Sequence, residues 1–261
     1  MKKEKNRRVR VLDCPIDNLS LKETLRVIEE FIKSGRSHQH VVINADKVLK
    51  IRKDKKLRQI VESCDLINVD GKPIRWAARL LGISFKERIT GMDLMEELLK
   101  LSSQKEYSVY FLGAREGVVR KVVEISRDKY PSLKIAGWGD GYWESDEEKR
   151  VVQDIKRAQP EILFVAISSP KKEFFIRKYI NEMQVPFSMG VGGSFDIVAG
   201  IKKRAPKWMQ KCGLEWFFRL CQEPRRLWKR YLIGNPIFLW LVLKEFLKIR
   251  MLGRNEELEN K

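Results

Sequence analysis

The chain has 261 residues, 43% of them hydrophobic, enough for one substantial core with an appendage. Its net charge of +18 points to anionic partners (nucleic acid, anionic lipid or a diphosphate substrate), and composition alone does not choose among them. The four cysteines, Cys14, Cys64, Cys212 and Cys221, form no CxxC pair and accompany no histidine cluster, so neither a disulfide framework nor a zinc site is expected, and a reducing cytoplasm is.

The basic start, MKKEKNRRVRVLDCP, lacks an apolar h-region, and no signal peptide is expected. Residues 9–12 read as a strand. Ser20-Leu-Lys-Glu23 reads as a capping box that opens a helix carrying Leu21, Leu25, Ile28 and Phe31. Residues 41–43 and 66–69 are further strands with helical sequence between them. A strand at 107–112 ends on Gly113 and is followed by an amphipathic helix through Val118, Val122 and Ile125. The pattern repeats at 133–136 and 162–167, and 186–191 closes the series at a glycine cluster.

Continuous apolar strands separated by helices predict an α/β fold with a parallel sheet covered on both faces. Ligands of such sheets bind beyond the carboxyl ends of the strands, and the polar and glycine residues gather there. Asn44, Asp70-Gly71, Gly113, Ser168-Ser-Pro170 and Gly190-Val-Gly-Gly193 each follow a strand, which argues for a nucleotide-type pocket.

The character changes near Lys202. Residues 1–200 are expected to form the α/β core with its nucleotide-type pocket, and 201–261 a basic, aromatic, amphipathic helical appendage. Residues 201–261 hold 15 Lys/Arg against 6 Asp/Glu, half of the net charge in under a quarter of the chain. Trp208, Trp216, Trp228, Tyr231 and Trp240 are interleaved with Arg219, Arg225, Arg226 and Arg230, a pattern suited to an anionic membrane surface or to packing on the core. No segment reaches the roughly 18 apolar residues of a membrane span. The longest apolar run, residues 236–243, stops at Lys244 and can lie on a membrane without crossing it.

Asp70 ends a buried strand, where a carboxylate can take a proton from a substrate hydroxyl or serve only as a turn or N-cap residue. Arg88 precedes a Thr-Gly helix start and can bind an anion or pair with Glu87 or Asp93. Ser168-Ser-Pro-Lys-Lys-Glu173 opens a helix whose N–H groups, with Lys171 and Lys172, can hold phosphate. Gly190, Gly192 and Gly193, running on to Asp196, resemble a phosphate-cradling loop, although GxGG is a weak signal and no Walker motif exists. Tyr142, in Asp140-Gly-Tyr-Trp143, offers a face for a base or simply packs. No D-x-D motif is present, so neither a metal nor another cofactor is expected, and a diphosphate would be neutralised by arginines, lysines and helix N-termini.

Taken in order, these pieces resemble the WecG/TagA/CpsF family of bacterial glycosyltransferases over nearly the whole chain. The resemblance is carried by Asn44-Ala-Asp-Lys47, Val69-Asp-Gly71, Arg88-Ile-Thr-Gly-Met-Asp-Leu94 and Phe111-Leu-Gly113. It continues through Gly139-Asp-Gly-Tyr142, Ser169-Pro-Lys-Lys-Glu173, Met189-Gly-Val-Gly-Gly193, Lys203-Arg-Ala-Pro206, Gly213-Leu-Glu-Trp216 and Glu223-Pro-Arg-Arg226. The family implies a Rossmann-like core and an inverting, metal-independent transfer. The sugar, often of N-acetylmannosamine type, moves from UDP to an undecaprenyl-diphosphate-linked N-acetylglucosamine.

By the same resemblance Asp70 is the base, Asn44 lies near the sugar, and Arg219, Arg225 and Arg226 belong to a basic appendage that closes the site. A peripheral place on the inner face of the cell membrane follows. Val42 stands where teichoic-acid members have threonine, and Lys172 where the family has glutamine, which leaves the donor open among N-acetylmannosamine, its uronic acid and a different UDP-hexose for exopolysaccharide. A homo-oligomer is plausible because the apolar appendage needs cover off the membrane. The rival from another class, a non-catalytic nucleic-acid-binding protein, rests on charge alone, and no nucleic-acid partner is expected.

Overall fold

The computed structural model describes residues 8–144 and 146–259, with side chains as far as residue 251. The chain runs β1 (Arg8–Val11), β2 (Cys14–Asp17), α1 (Leu21–Ser34), β3 (His38–Ile43), α2 (Ala45–Lys53), α3 (Lys55–Glu62), β4 (Leu66–Val69), α4 (Lys72–Leu80) and α5 (Gly91–Lys105). It continues with β5 (Ser108–Gly113), α6 (Glu116–Lys129), β6 (Lys134–Gly139), α7 (Glu148–Ala158), β7 (Ile162–Ala166), α8 (Lys171–Met183) and β8 (Phe187–Gly190). The C-terminal helices are α9 (Ser194–Val198), α10 (Lys207–Cys212), α11 (Glu215–Gln222), α12 (Pro224–Trp228), a π-helical turn (Lys229–Ile233) and α13 (Gly234–Glu259).

Six strands form one parallel sheet in the order β4-β3-β8-β7-β5-β6. Side chains alternate between its faces with the period of two that a strand imposes. Val109, Phe111, Ile162 and Phe164 join α1, α5, α6 and α9 in one core. Tyr110, Leu112, Leu163 and Val165 join α7 and α8 in a core on the opposite side. A third cluster sets Val41, Ile43, Ile67 and Val69 against α2, α3 and α4, and Phe238 and Val242 of α13 complete it. The fold is therefore α/β, as the alternating runs predict.

The first predicted strand does not enter this sheet. Residues 8–11 pair antiparallel with β2 across a turn in which Leu12 and Asp13 both have positive φ, 50° and 68°. That geometry ordinarily takes Asn-Gly, and Pro15 further disguises β2. The hairpin is tied to the sheet by Asp17, whose carboxylate pairs with Arg8 and accepts the Ile67 amide at 2.8 Å. The predicted capping box is present, with Ser20 and Glu23 each bonding the other's backbone amide.

Close backbone approaches explain two of the glycines at the strand ends. Gly113 has φ +123°, and a Cβ there would meet the Ala166 backbone at 2.6 Å. Gly141 folds back on it, with a hypothetical Cβ 2.9 Å from the Gly113 Cα and its amide bonded to Ala114 O. Gly113→Ala is expected to cost about 2–5 kcal/mol from strain and overpacking together, read as a lower urea midpoint.

Candidate active site

β4 delivers Asp70 to the sheet edge. Its amide bonds Ile43 O at 2.8 Å, fixing it beside the end of β3. Gly71, at φ +90°, then turns the chain into α4, with Pro73 in its first turn. The cap position of α4 is Gly71 and uses no side chain, so Asp70 is not a capping residue. Among the described residues no donor bonds its carboxylate, which faces a cleft walled by Asn44, Arg88, Glu215, Arg219 and Arg230. Burial raises the Asp70 pKa and Glu215 adds to the rise, while the guanidinium groups of Arg88, Arg219 and Arg230 oppose it.

The other walls come from both ends of the chain. Asn44 caps α2, its Oδ1 accepting the Lys47 amide at 2.9 Å, and it lines the cleft from the end of β3. The Ile89 amide bonds Val69 O at 3.1 Å, holding Arg88 beside the end of β4. The local partners considered for Arg88 are engaged elsewhere: Glu87 accepts the Leu21 amide, and Asp93 bonds Thr90 and Arg204. Arg88 instead reaches across to Glu215 of α11 at 3.4 Å. Trp216 and Tyr231, with ring centroids 5.8 Å apart, give the cleft an apolar wall. Arg230 approaches Asp46 at 3.6 Å.

The structure thus brings Asn44, Asp70, Arg88 and Arg219 together and leaves the other predicted residues outside the cleft lining. Lys172 lies along the β8 loop, its Nζ bonded to Gly190 O at 3.3 Å. A Cβ on Gly190 would meet the Lys172 stem at 2.8 Å, so this glycine makes room for a lysine. Burial pushes the Lys172 amine down to about 8, against the pull of Glu173. Gly192 has φ +56° and lies beside the same amine, while Gly193 is exposed. Asp196 pairs with Lys202, and Arg226 pairs with Glu223. Arg225 is exposed. Tyr142, 74% exposed, follows β6 at the sheet edge opposite β4.

Sequence reasoning names neither Glu215 nor Arg230 as a cleft residue. Glu215 stands inside the Gly213-Leu-Glu-Trp216 motif, which was the available signal. Arg230 lies on the π-helical turn, whose extra residue per turn rotates it away from a 3.6-residue pattern. Other motif residues turn out to hold the fold. Lys47 and Glu173 form a buried ion pair that joins α2 to α8, and Lys47 also bonds Ser169 Oγ at 2.8 Å.

The profile of the Glycosyl transferase WecG/TagA/CpsF family matches residues 9–251. The chain belongs to this family of glycosyltransferases. It is 38% identical over 193 residues to the N-acetylglucosaminyldiphosphoundecaprenol N-acetyl-beta-D-mannosaminyltransferase of Bacillus subtilis (strain 168), covering 74% of each chain. The protein of the same name from Bacillus spizizenii is 36% identical over 185 residues, 71% of this chain and 70% of the relative. That of Staphylococcus aureus (strain MW2) is 29% identical over 245 residues, 93% of this chain and 95% of the relative. WecG/TagA/CpsF membership makes the chain an enzyme that transfers a sugar, and the cleft at Asp70 is its candidate centre.

Proposed function

We propose that this glycosyltransferase moves an N-acetylmannosamine-type sugar from UDP to a polyprenyl-diphosphate-linked N-acetylglucosamine, with inversion and without a metal. The observation that carries the reading is the unbonded Asp70 carboxylate in a cleft also walled by Arg88, Arg219 and Arg230. In the proposed step an acceptor hydroxyl gives its proton to Asp70, and its oxygen bonds the anomeric carbon. The bond from that carbon to the diphosphate oxygen breaks, and UDP departs with the electron pair. The three arginines offset the charge that grows on the leaving diphosphate.

The cleft lies at β3 and β4, and the Lys172–Gly190 corner is at β8, next to β3 and two strand positions, or roughly 10 Å, from β4. We place the sugar diphosphate in the cleft and the nucleoside toward that corner, where Lys172, Gly190, Gly192, Gly193 and Asp196 would flank it. The names of the relatives favour N-acetylmannosamine as the sugar. The experiment is a panel of UDP-sugars, including the N-acetylmannosaminuronic acid, incubated with a prenyl-diphosphate N-acetylglucosamine analogue and read by mass spectrometry. A product one N-acetylhexosamine heavier is expected, and no product from any donor sinks the proposal.

The acceptor's lipid asks for a place at the membrane, which we assign to the C-terminal helices. No helix among the described residues is long and apolar enough to cross a bilayer. Trp228, Leu232, Leu239, Trp240 and Leu243 are nevertheless exposed among Arg225, Arg226 and Lys229, a mixture that suits headgroup depth. Trp228→Ser with Trp240→Ser is expected to weaken co-sedimentation with anionic vesicles by about tenfold or more, with UDP binding unchanged. Unaltered sedimentation would place the membrane contact elsewhere.

A further inference from the structure

The Arg88–Glu215 contact joins the two parts of the cleft, and nothing in the transfer step described above uses its carboxylate. Glu215 is placed with care. Gly213 ends α10 at φ +80°, and the Leu214 amide returns to Met209 O at 2.8 Å, which closes the corner between α10 and α11. A Cβ on Gly213 would come within 3.1 Å of both Lys72 and Trp76, so the corner sits hard against α4. Glu215 is the first residue of α11 and is thereby held over the cleft.

Arg88 is sheltered, with 15% of its side chain exposed, and a sheltered guanidinium needs an anion. The cleft carboxylates are Asp46, Asp70 and Glu215. Asp46 is engaged with Lys50 and Arg230, which leaves Glu215 and Asp70 for Arg88. Were Glu215 absent, Arg88 would turn to Asp70, neutralise the base and misdirect it. The existing contact is a single long one, through Nη1, rather than a bidentate fork. A diphosphate offers more charge and more acceptor oxygens than one carboxylate and can take Arg88 from it.

We propose that Glu215 is a positioning residue that holds Arg88 off Asp70 in the empty cleft and yields it to the diphosphate of the incoming donor. The inference rests on the donor reading above. It ties donor binding to the C-terminal helices, because the group that the donor displaces is carried on α11. Once the donor is in place, Glu215 remains beside Asp70 as a second negative charge, with Lys72, Arg219 and Arg230 as the other cations lining the cleft, and keeps Asp70 a stronger base.

The test is UDP affinity by calorimetry and steady-state kinetics of the full chain carrying Glu215→Gln. Removing the competing carboxylate should tighten UDP about three- to tenfold, the scale of one partly sheltered ion pair. The same change should lower kcat, so that KM and kcat fall together. A purely structural role for Glu215 would loosen the C-terminal helices, weaken UDP and raise KM. Arg88→Gln supplies the cycle: in its background Glu215→Gln should no longer tighten UDP, because the competition has no object. Unchanged or weaker UDP binding by Glu215→Gln overturns the inference, as does tightening that persists without Arg88. A wild-type chain that binds no UDP would instead fail the donor reading itself.

Discussion

Asp70→Asn is expected to abolish most transfer, lowering kcat by about 10²–10⁴-fold, the contribution typical of a positioned general base. The folded protein should nonetheless become more stable at neutral pH. Burial and Glu215 raise the pKa of this carboxyl, so its ionised form costs folding free energy above the unfolded pKa, and a neutral amide removes that cost. Loss of activity with a higher melting temperature separates a catalytic carboxylate from a structural one, whose loss would lower both. The same shift sets the pH profile. Asp70 must be ionised to accept a proton, so kcat/KM should fall on the acid side at a pH above the ordinary carboxylate range. Glu215→Gln removes one of the raising influences and leaves those of Arg88, Arg219 and Arg230, so its acid limb should move to lower pH.

Glu173→Gln is expected to produce the largest loss of stability, about 3–5 kcal/mol, because it strands a buried charge. Glu173 and Lys47 are both almost fully buried, and the Gln39 side chain bonds Glu173 O at 3.1 Å beneath them. Burial pushes the Glu173 pKa up, but Lys172 and Lys47 more than reverse this and keep it ionised. Burial lowers the Lys47 pKa, and in the variant only the weaker pull of Asp46 would oppose that fall, with Lys50 adding to it. The variant should therefore regain part of its stability as pH rises and Lys47 becomes neutral. Urea midpoints across the alkaline range check this; a loss below about 1 kcal/mol, within the span of an exposed pair, would show that the contact is wet and weak.

Much of the fold is legible in the sequence because its determinants are local. The run Leu66-Ile-Asn-Val69 is buried on successive residues, and apolar but for Asn68, because both faces of the strand are covered. Asp70 is visible as a candidate because such a run ends on it. The hairpin is not visible, since Leu12 and Asp13 adopt left-handed conformations that their side chains do not advertise. Nor is the strand order, which is set by packing between residues distant in the chain.

The glycine clusters show the limits of motif reading. Gly190 belongs to a run that resembles a phosphate loop and Gly113 ends a strand, and at each a close neighbour accounts for the glycine: the Lys172 stem at one and the Ala166 backbone at the other. The wall opposite Asp70 is legible only in part. Arg219 can be named from its motif, but Glu215 and Arg230 reach the cleft through a closed corner and a π turn. Cys14 and Cys64 are buried, with burial raising both thiols, while Cys212 and Cys221 are exposed and all are free.

The central claim is that the Asp70 cleft activates an acceptor hydroxyl against a UDP-sugar without a metal. Its most direct test is UDP release from UDP-N-acetylmannosamine in EDTA, with and without a prenyl-diphosphate N-acetylglucosamine analogue, by the wild type and Asp70→Asn. Release should require the acceptor, survive EDTA and nearly vanish in the variant. Release by the variant at the wild-type rate, or release that stops in EDTA, would contradict that claim.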